Sequence, residues 1–405
     1  MKLLKFIPIL LIPFLLTGCW DEIQIEEYAY VSVIGIDKGT DDKISVTFQI
    51  INPQIGTATS IEANEPPSDI LTFLSPDLVS ARDLSSISIA RRLTFSHTNA
   101  IVVSEEFAKT DRFFPLLEAT QRDVDMRREF SIIICKEKAY EFIRNNKPPF
   151  DTRTSKYYDF LTSKWKETGL VPLSTLHKVS QKTLDDTGLL LMAYATTKKE
   201  DVKTNFDSEG DFIAGQIDKT DDNPIQMIGA GVLKKGKMIG VLTGDETRLS
   251  LMLRPHVVTN NMLATFPDPL AEDFKISAKV SKRSNKIDIK ITDDYPIIDV
   301  TVPIILSITA IPSQIDYVEN MENQKTLINY LEKRLEEKTM KLVKKTQKEF
   351  EGEPFFWSYV ARQKFWLYED FKNYNWMEKY KNAKITIKYD VKIEDFGKHR
   401  IDLKI

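Results

Sequence analysis

Four histidines, two cysteines and several acidic pairs are this chain's candidates for chemistry. The histidines stand at His97, His177, His256 and His399, with no His-Glu-x-x-His spacing to hold a catalytic zinc. No Cys-x-x-Cys and no Gly-x-Ser-x-Gly elbow occurs. Gly229-Ala230-Gly231 echoes a dinucleotide loop, but its third glycine is missing and Lys234 follows where a helix should open. Acidic pairs at Asp41-Asp42, Asp185-Asp186, Asp221-Asp222 and Asp293-Asp294 each lie beside turn formers or polar runs. Turn chemistry explains them better than general acid–base work. The chain is therefore expected not to be an enzyme, and no cofactor or metal is expected.

The residue whose chemistry is legible is Cys19. Lys2 and Lys5 precede an apolar run from Phe6 to Leu16, interrupted by Pro8 and Pro13 and closed by Leu16-Thr17-Gly18-Cys19. The run is too short to span a bilayer comfortably and has the layout of an export signal. Leu-Thr-Gly-Cys resembles a bacterial lipobox, in which a diacylglyceryl group alkylates the thiol and the cut falls before it. Only cysteine offers a sulfur nucleophile for that thioether, and two acyl chains on one residue reach the threshold for stable anchoring. Residues 1–18 are thus expected to be a signal peptide and Cys19 the lipidation site, on the outer face of the cytoplasmic membrane. With Cys19 acylated no intramolecular disulfide is left. Cys135, within Ile132-Ile133-Ile134-Cys135, reads as a small buried hydrophobe.

Composition supports a folded body beyond the anchor. The 405 residues are 42% hydrophobic and 28% charged, with a net charge of -3. That is ample for packed cores in two or three domains, and nothing is basic enough to imply nucleic acid.

These residues need elements to carry them. Ile44, Val46, Phe48 and Ile50 alternate as in a half-buried strand, and Tyr30–Ile36 is a second strand. The turn-rich Asp37–Asp42 run between them predicts a hairpin. Ser75-Pro76-Asp77 predicts a helix start with Ser75 as cap, running to about Ile87. Strand is expected over Leu93–Val103, Phe130–Cys135 and Leu189–Ala195. Helices are expected from Ser104-Glu105-Glu106 through Leu117, near Ala139–Arg144 and near Thr154–Lys166. Residues 198–224, polar and glycine-containing, read as a linker or long surface hairpin between an N-terminal α/β unit (19–197) and a C-terminal α+β unit (225–405). The second unit opens with Met227–Leu233 and Met238–Leu242 around Lys234-Lys235-Gly236-Lys237, a hairpin. Ile276, Ala278 and Val280, then Ile287, Ile289 and Ile291, alternate, and an apolar run follows around Val300–Ile311. A long helix is expected over Ile315–Phe350, with Leu327, Ile328, Leu331 and Leu335 on one face, and a second over Phe356–Phe371. A final strand carries Ile385, Ile387, Tyr389, Val391 and Ile393. The fold class is α+β (mixed α/β), with mixed or antiparallel sheets each backed by helices.

Three polar clusters remain: Arg91-Arg92 before Leu93-Thr94-Phe95-Ser96-His97; Gly244-Asp245-Glu246-Thr247-Arg248; and Gln121–Glu129 with Arg122, Asp123, Asp125, Arg127 and Arg128. Each reads either as a solvated ion-pair network or as a protein-contact patch, since arginine is enriched at interfaces. Arg91, Arg92, Asp245, Glu246 and Arg248 are the candidate partner contacts.

Taken in order, these pieces resemble the Ger(x)C family, the C-subunit lipoproteins of bacterial spore germinant receptors. The resemblance rests on Gly18-Cys19-Trp20-Asp21, Ile34-Gly35-Ile36-Asp37, Arg91-Arg92-Leu93 through His97 into Ile101-Val102-Val103-Ser104-Glu105-Glu106, Asp125–Arg128, and Gly229–Leu242 followed by Gly244–Arg248. Glu353-Pro354-Phe355-Phe356-Trp357 departs from the family pattern, which has more glycine there. The resemblance implies a non-enzymatic subunit at the inner membrane of the spore. It would act with a polytopic A subunit and a transporter-like B subunit in the response to small nutrients. Two other readings stay open: a solute-binding lipoprotein of a nutrient transporter, which needs a deep cleft between lobes, and a lipid-anchored cell-wall hydrolase, which needs facing carboxylates across a groove.

Overall fold

The computed structural model describes residues 24, 27–51, 68–147, 154–185, 187–201, 206–220 and 223–397. Cys19, the signal segment, Asp186, Asp221, Asp222 and His399 lie outside the described residues.

The first sheet has nine strands. β1 (Tyr28–Lys38), β2 (Ile44–Ile51) and β3 (Ser68–Ser75) form an antiparallel meander, with Lys38 opposite Ile44 at the expected hairpin. Asp41 and Asp42 adopt positive φ there, 51° and 57°, as the Asp-rich turn requires. On the other side of β1 come β4 (Arg92–Thr94), β5 (Ala100–Ser104), β6 (Ser131–Cys135) and β7 (Leu190–Thr196), all parallel to it. β8 (Gln226–Lys234), antiparallel to β7, and β9 (Lys237–Leu242), antiparallel to β8, complete the sheet. Their loop is two residues, Lys235 and Gly236, both at positive φ, the twist-matched hairpin turn. The parallel strands read as unbroken apolar runs because helices cover both faces. One face carries the helices Leu78–Ser85, Phe113–Thr120 and Leu176–Asp185; the other carries Ala139–Asn145 and Thr154–Ser163.

Several expectations change. β3 runs through Ser75, so the cap of the next helix is Asp77, whose Oδ1 accepts from the Ser80 amide at 2.7 Å. The single strand expected over Leu93–Val103 is split into β4 and β5. A turn intervenes, with the Thr98 amide on Phe95 O at 3.0 Å and the Asn99 amide on Ser32 O at 2.9 Å. β8 and β9, expected to open the C-terminal unit, belong to the first sheet. The 198–224 stretch therefore connects neighbouring antiparallel strands. Its Phe212 and Ala214 enter the core, and the Gln226 side chain fastens it through the Gly215 and Ile217 amides, at 2.9 and 3.1 Å.

The second sheet has five strands: β10 (Thr259–Asp268), β11 (Ala271–Lys282), β12 (Lys286–Lys290), β13 (Ile297–Ala310) and β14 (Lys384–Asp395). β11 and β12 pair with successive parts of one edge of β13, so they act as one strand broken at 283–285. β14 lies parallel along the other edge. A parallel pair needs a crossover, and the helix Met321–Lys348 supplies it. Asn320 caps that helix by accepting from the Glu322 and Asn323 amides, and Leu327, Leu331, Leu342 and Val343 face the sheet. The second long helix expected over Phe356–Phe371 is instead three short ones, Trp357–Arg362, Tyr368–Tyr374 and Trp376–Tyr380. Left-handed backbone at Phe356 and Asn375 bounds them, and their rings pack inward at Trp357, Phe371, Trp376 and Tyr380.

The two halves share a core. Leu191, Ala230, Val232 and Leu242 of the first sheet pack in one cluster with the inward row Ile298, Val300, Val302, Ile304 and Leu306 of β13.

Candidate functional site

The Gly244–Arg248 cluster opens the helix Gly244–Met252 and is turned inward. Thr243 and Glu246 form a reciprocal cap: the Glu246 amide donates to Thr243 Oγ1 at 3.2 Å, and the Thr243 amide donates to Glu246 Oε2 at 2.9 Å. Glu246 also pairs with Lys345 at 2.8 Å, and Asp245 with Lys338 at 2.7 Å. Lys338 and Lys345 are two turns apart on the long helix, so one face of that helix receives both acids. Arg334, a turn earlier, pairs with Asp207 at 2.7 Å.

Arg248 is the centre of this junction. Its side chain is 5% exposed and uses every nitrogen within the chain. Nε donates to Thr168 O at 2.9 Å, Nη1 to Glu209 Oε1 at 2.8 Å and Nη2 to Leu263 O at 3.0 Å. Burial pushes the Glu209 carboxyl up, but the Arg248 guanidinium and the Thr265 hydroxyl outweigh it and hold the group below its ordinary value. Asp245, Glu246 and Arg248, read from sequence as candidate partner contacts, are thus ties between the β7–β8 connection, β10 and the long helix. Their charges find partners inside because the helix start points at a basic face. The cavity beside them, lined by Asp245, Arg248, Arg334 and Lys338 over apolar side chains, has a volume of about 30 Å³. That is room for about two waters, against several hundred Å³ for a typical small-molecule site.

Ile34-Gly35-Ile36-Asp37 is equally structural. Asp37 is buried, and its carboxylate accepts from the amides of Ala139 and Tyr140 at 2.7 and 3.1 Å, capping the helix Ala139–Asn145. A side chain at Gly35 would put Cβ 2.8 Å from Ile143 Cδ1 and 3.1 Å from Thr47 Cβ, so glycine lets that helix lie close on β1.

A further cluster carried no signal in sequence. Lys182 is buried, its Nζ 4.7 Å from the Tyr359 ring and donating to Thr187 Oγ1 at 3.2 Å. Arg254 stacks 4.1 Å over Phe356, which sits at φ 63°. Glu353, fully buried, accepts from the amides of Phe355 and Ser358 at 2.6 and 2.9 Å. Desolvation raises the Glu353 carboxyl and lowers Arg254 to about 10. These groups come from residues 182, 254 and 353, and only the fold brings them together.

Arg91 and Arg92, by contrast, are exposed. They sit where β4 begins, and Arg92 is in register with Tyr28, the first residue of β1. Arg122, Arg127 and Arg128 are exposed on the loop that leads into β6. Arg82 pairs with Asp123 at 2.9 Å and Asp125 at 3.6 Å, which fastens that loop to the helix Leu78–Ser85. Cys135 is buried as expected, its thiol on Glu137 O at 3.2 Å. Among the described residues no group of three or more His, Cys, Asp or Glu side chains is placed to hold a metal. No helix of the described residues is long and apolar enough to cross a membrane.

A fold of two helix-backed sheets sharing a core, tied together by the Asp245, Glu246 and Arg248 ion pairs, defines the class: a mixed α/β protein built in two successive units. The comparisons give the family. Residues 21–197 match the spore germination protein N-terminal domain, and residues 228–397 match the spore germination B3/GerAC-like C-terminal domain. The chain belongs to this family, the Ger(x)C proteins, whose members are receptor components and not enzymes. It is similar to spore germination protein B3 of Bacillus subtilis (strain 168), 23% identical over 94% of this chain and 95% of that protein. Spore germination protein KC of the same organism is 28% identical over 40% of this chain, a match that spans 42% of that protein. The crystal structure of the GerBC protein superposes with a TM-score of 0.50 at 18% identity, covering 89% of this chain and 96% of that one, which shows a shared fold.

Proposed function

We propose that this chain is the lipid-anchored C subunit of a spore germinant receptor, a nutrient-sensing assembly in which it works by protein–protein contact. The observation that carries this reading is the ordered match of both family domains along the chain. In this reading residues 1–18 direct export and Cys19 carries the diacylglyceryl anchor. The body stands on the outer face of the spore's inner membrane, beside polytopic A and B subunits. The solute-binding alternative loses support because β8 and β9 and a continuous core join the halves where two lobes would need a hinge and a cleft. The hydrolase alternative finds no support in the acids of the junction, because Asp245, Glu246 and Glu209 are ion-paired within the chain.

The test is a deletion strain lacking this chain and its close relatives. Loss of the response to nutrients, with non-nutrient triggers still working, is the expected outcome. Normal nutrient germination would remove the receptor assignment. Affinity capture of the anchored protein from membranes should recover polytopic germination proteins. Labelling with a radioactive fatty acid should mark the wild type and not Cys19→Ala; equal label in both would refute the anchor.

A further inference from the structure

The parallel strands of the first sheet place a set of exposed arginines beside the point where the anchored N-terminus enters the fold. β1, β4, β5 and β6 all run the same way, so the loops leading into them lie along one rim. β3 also runs with β1, and the helix Leu78–Ser85 returns from its far end, which brings 86–91 to that rim. The helix Phe113–Thr120 does the same for 121–129 between β5 and β6. The Arg82 ion pairs to Asp123 and Asp125 fasten the 121–129 loop to the helix that leads into 86–91.

The rim therefore presents Arg91, Arg92, Arg122, Arg127 and Arg128, all exposed. Two aliphatic side chains project among them: Val124, 97% exposed, and Ile87, 79% exposed. Of the acids on the two loops, Asp123 and Asp125 are taken up by Arg82, and Glu129 is exposed. Cationic heads around protruding aliphatic tips suit an interface of anionic headgroups over acyl chains. The tether fits as well. Eight residues, and so nine Cα-to-Cα steps, separate Cys19 from Tyr28, which is opposite Arg92. They reach at most about 30 Å, so a chain anchored at Cys19 holds this rim within touching distance of the bilayer.

We infer that this rim is a second, non-covalent membrane contact that lays the first sheet end-on against an anionic phospholipid surface. The inference rests on the anchored reading of Cys19 for its geometry, and it fixes which end of the body faces the lipid.

The experiment uses the chain from residue 20 onward, without acyl group. The core residues run from Ala29 to Val391, so both cores stay intact. Sedimentation with phosphatidylcholine vesicles, with and without phosphatidylglycerol, measures binding. The expected result is binding only when phosphatidylglycerol is present, weakening as salt is raised. Arg91→Gln with Arg92→Gln, or Arg127→Gln with Arg128→Gln, should each reduce it roughly tenfold to thirtyfold. Val124→Asp should reduce it several-fold. An unchanged melting temperature confirms that these exposed substitutions leave the fold alone. Absence of binding by the wild type overturns the inference, as does equal binding by wild type and arginine variants. Loss of nutrient response in spores carrying the variants, with vesicle binding unaffected, also overturns it and gives the rim to a protein partner. The assay contains neither acyl chain nor receptor subunit, so its failure leaves the receptor reading standing.

Discussion

Asp37 and Ala139, 102 positions apart in the chain, are joined by a 2.7 Å hydrogen bond from the Ala139 amide to the Asp37 carboxylate. The bond ends β1 and begins a helix in the same place, so one acid sets both the strand length and the helix position. Asp37→Ala should lower the unfolding free energy by about 2 kcal/mol, through loss of the cap and two orphaned amides. Asp37→Asn, which keeps one acceptor, should lose about half as much. Urea unfolding measures both, and a wild-type midpoint for the alanine variant would refute the capping role.

Gly35 lies on the same strand, under the same helix. Gly35→Ala should cost about 1–3 kcal/mol by overpacking against Ile143 and Thr47. Pairing it with Ile143→Val should recover part of that cost. A double variant no more stable than the single one would mean that the contact with Ile143 is not what excludes a side chain.

Arg248→Met should be destabilising by about 3 kcal/mol. It orphans the Thr168 and Leu263 carbonyls and leaves the half-exposed Glu209 carboxylate without its partner. Glu209 is held below its ordinary value in the folded chain. Its stabilisation is therefore present above the unfolded value, about 4.3, and is lost as pH falls through the folded one. The gap between wild type and variant should narrow on acidification. A thermal melt series from neutral to acid pH checks this, and a gap that widens would contradict it.

Lys282 lies fully buried and donates to the carbonyls of Arg254 and Val257 at 2.9 and 2.6 Å, neutral acceptors that do not balance its charge. Desolvation lowers it from 10.5 to about 8. The folded chain then releases this proton before the unfolded chain does, so stability rises with pH across that interval. Relative to Lys282→Met, the wild type should gain about 3 kcal/mol between pH 8 and 10.5. Parallel pH profiles for the two proteins would show that Lys282 titrates normally.

Cys135 has its thiol buried in the first sheet, and burial pushes it well above its ordinary range. Alkylation should be slow in the native protein and fast in denaturant. Rapid native labelling would mean that β6 is accessible.

Strands with strict alternation or unbroken apolar runs were legible in the sequence: Ile44–Ile50, Ile132–Cys135, and Ile276, Ala278 and Val280 all lie where their periods predict. What failed were assignments that depend on partners distant in sequence. Met227–Leu242 reads as a hairpin locally, but only its pairing with β7 decides which sheet owns it. The aromatic run from Trp357 to Tyr368 has helical spacing, yet the helix stops at Arg362 and extended backbone at Leu367 starts a new one at Tyr368. The same holds for the site. Arg248 and Arg91 look alike as arginines in polar clusters, and only tertiary structure makes one a buried clasp and the other a surface charge. The buried Lys182, Arg254 and Glu353 have no local signature because their meeting is made by chain segments far apart.

The closing of the first sheet by β8 and β9 also imposes a schedule. β7 ends at Thr196, but its outer neighbour arrives only with residues 226–234, and the sheet is finished at Leu242. As the chain emerges in order, an apolar strand waits with one edge bare until residues 226–234 follow it. Leu190–Ala195, buried throughout in the finished fold, is the segment that waits. A chain cut after residue 224 would make that interval permanent, leaving an uncovered edge able to pair with the next copy. The polar excursion between Thr196 and Gln226 is therefore a delay in time as well as a loop in space, and the chain's exposure to self-association is concentrated within it.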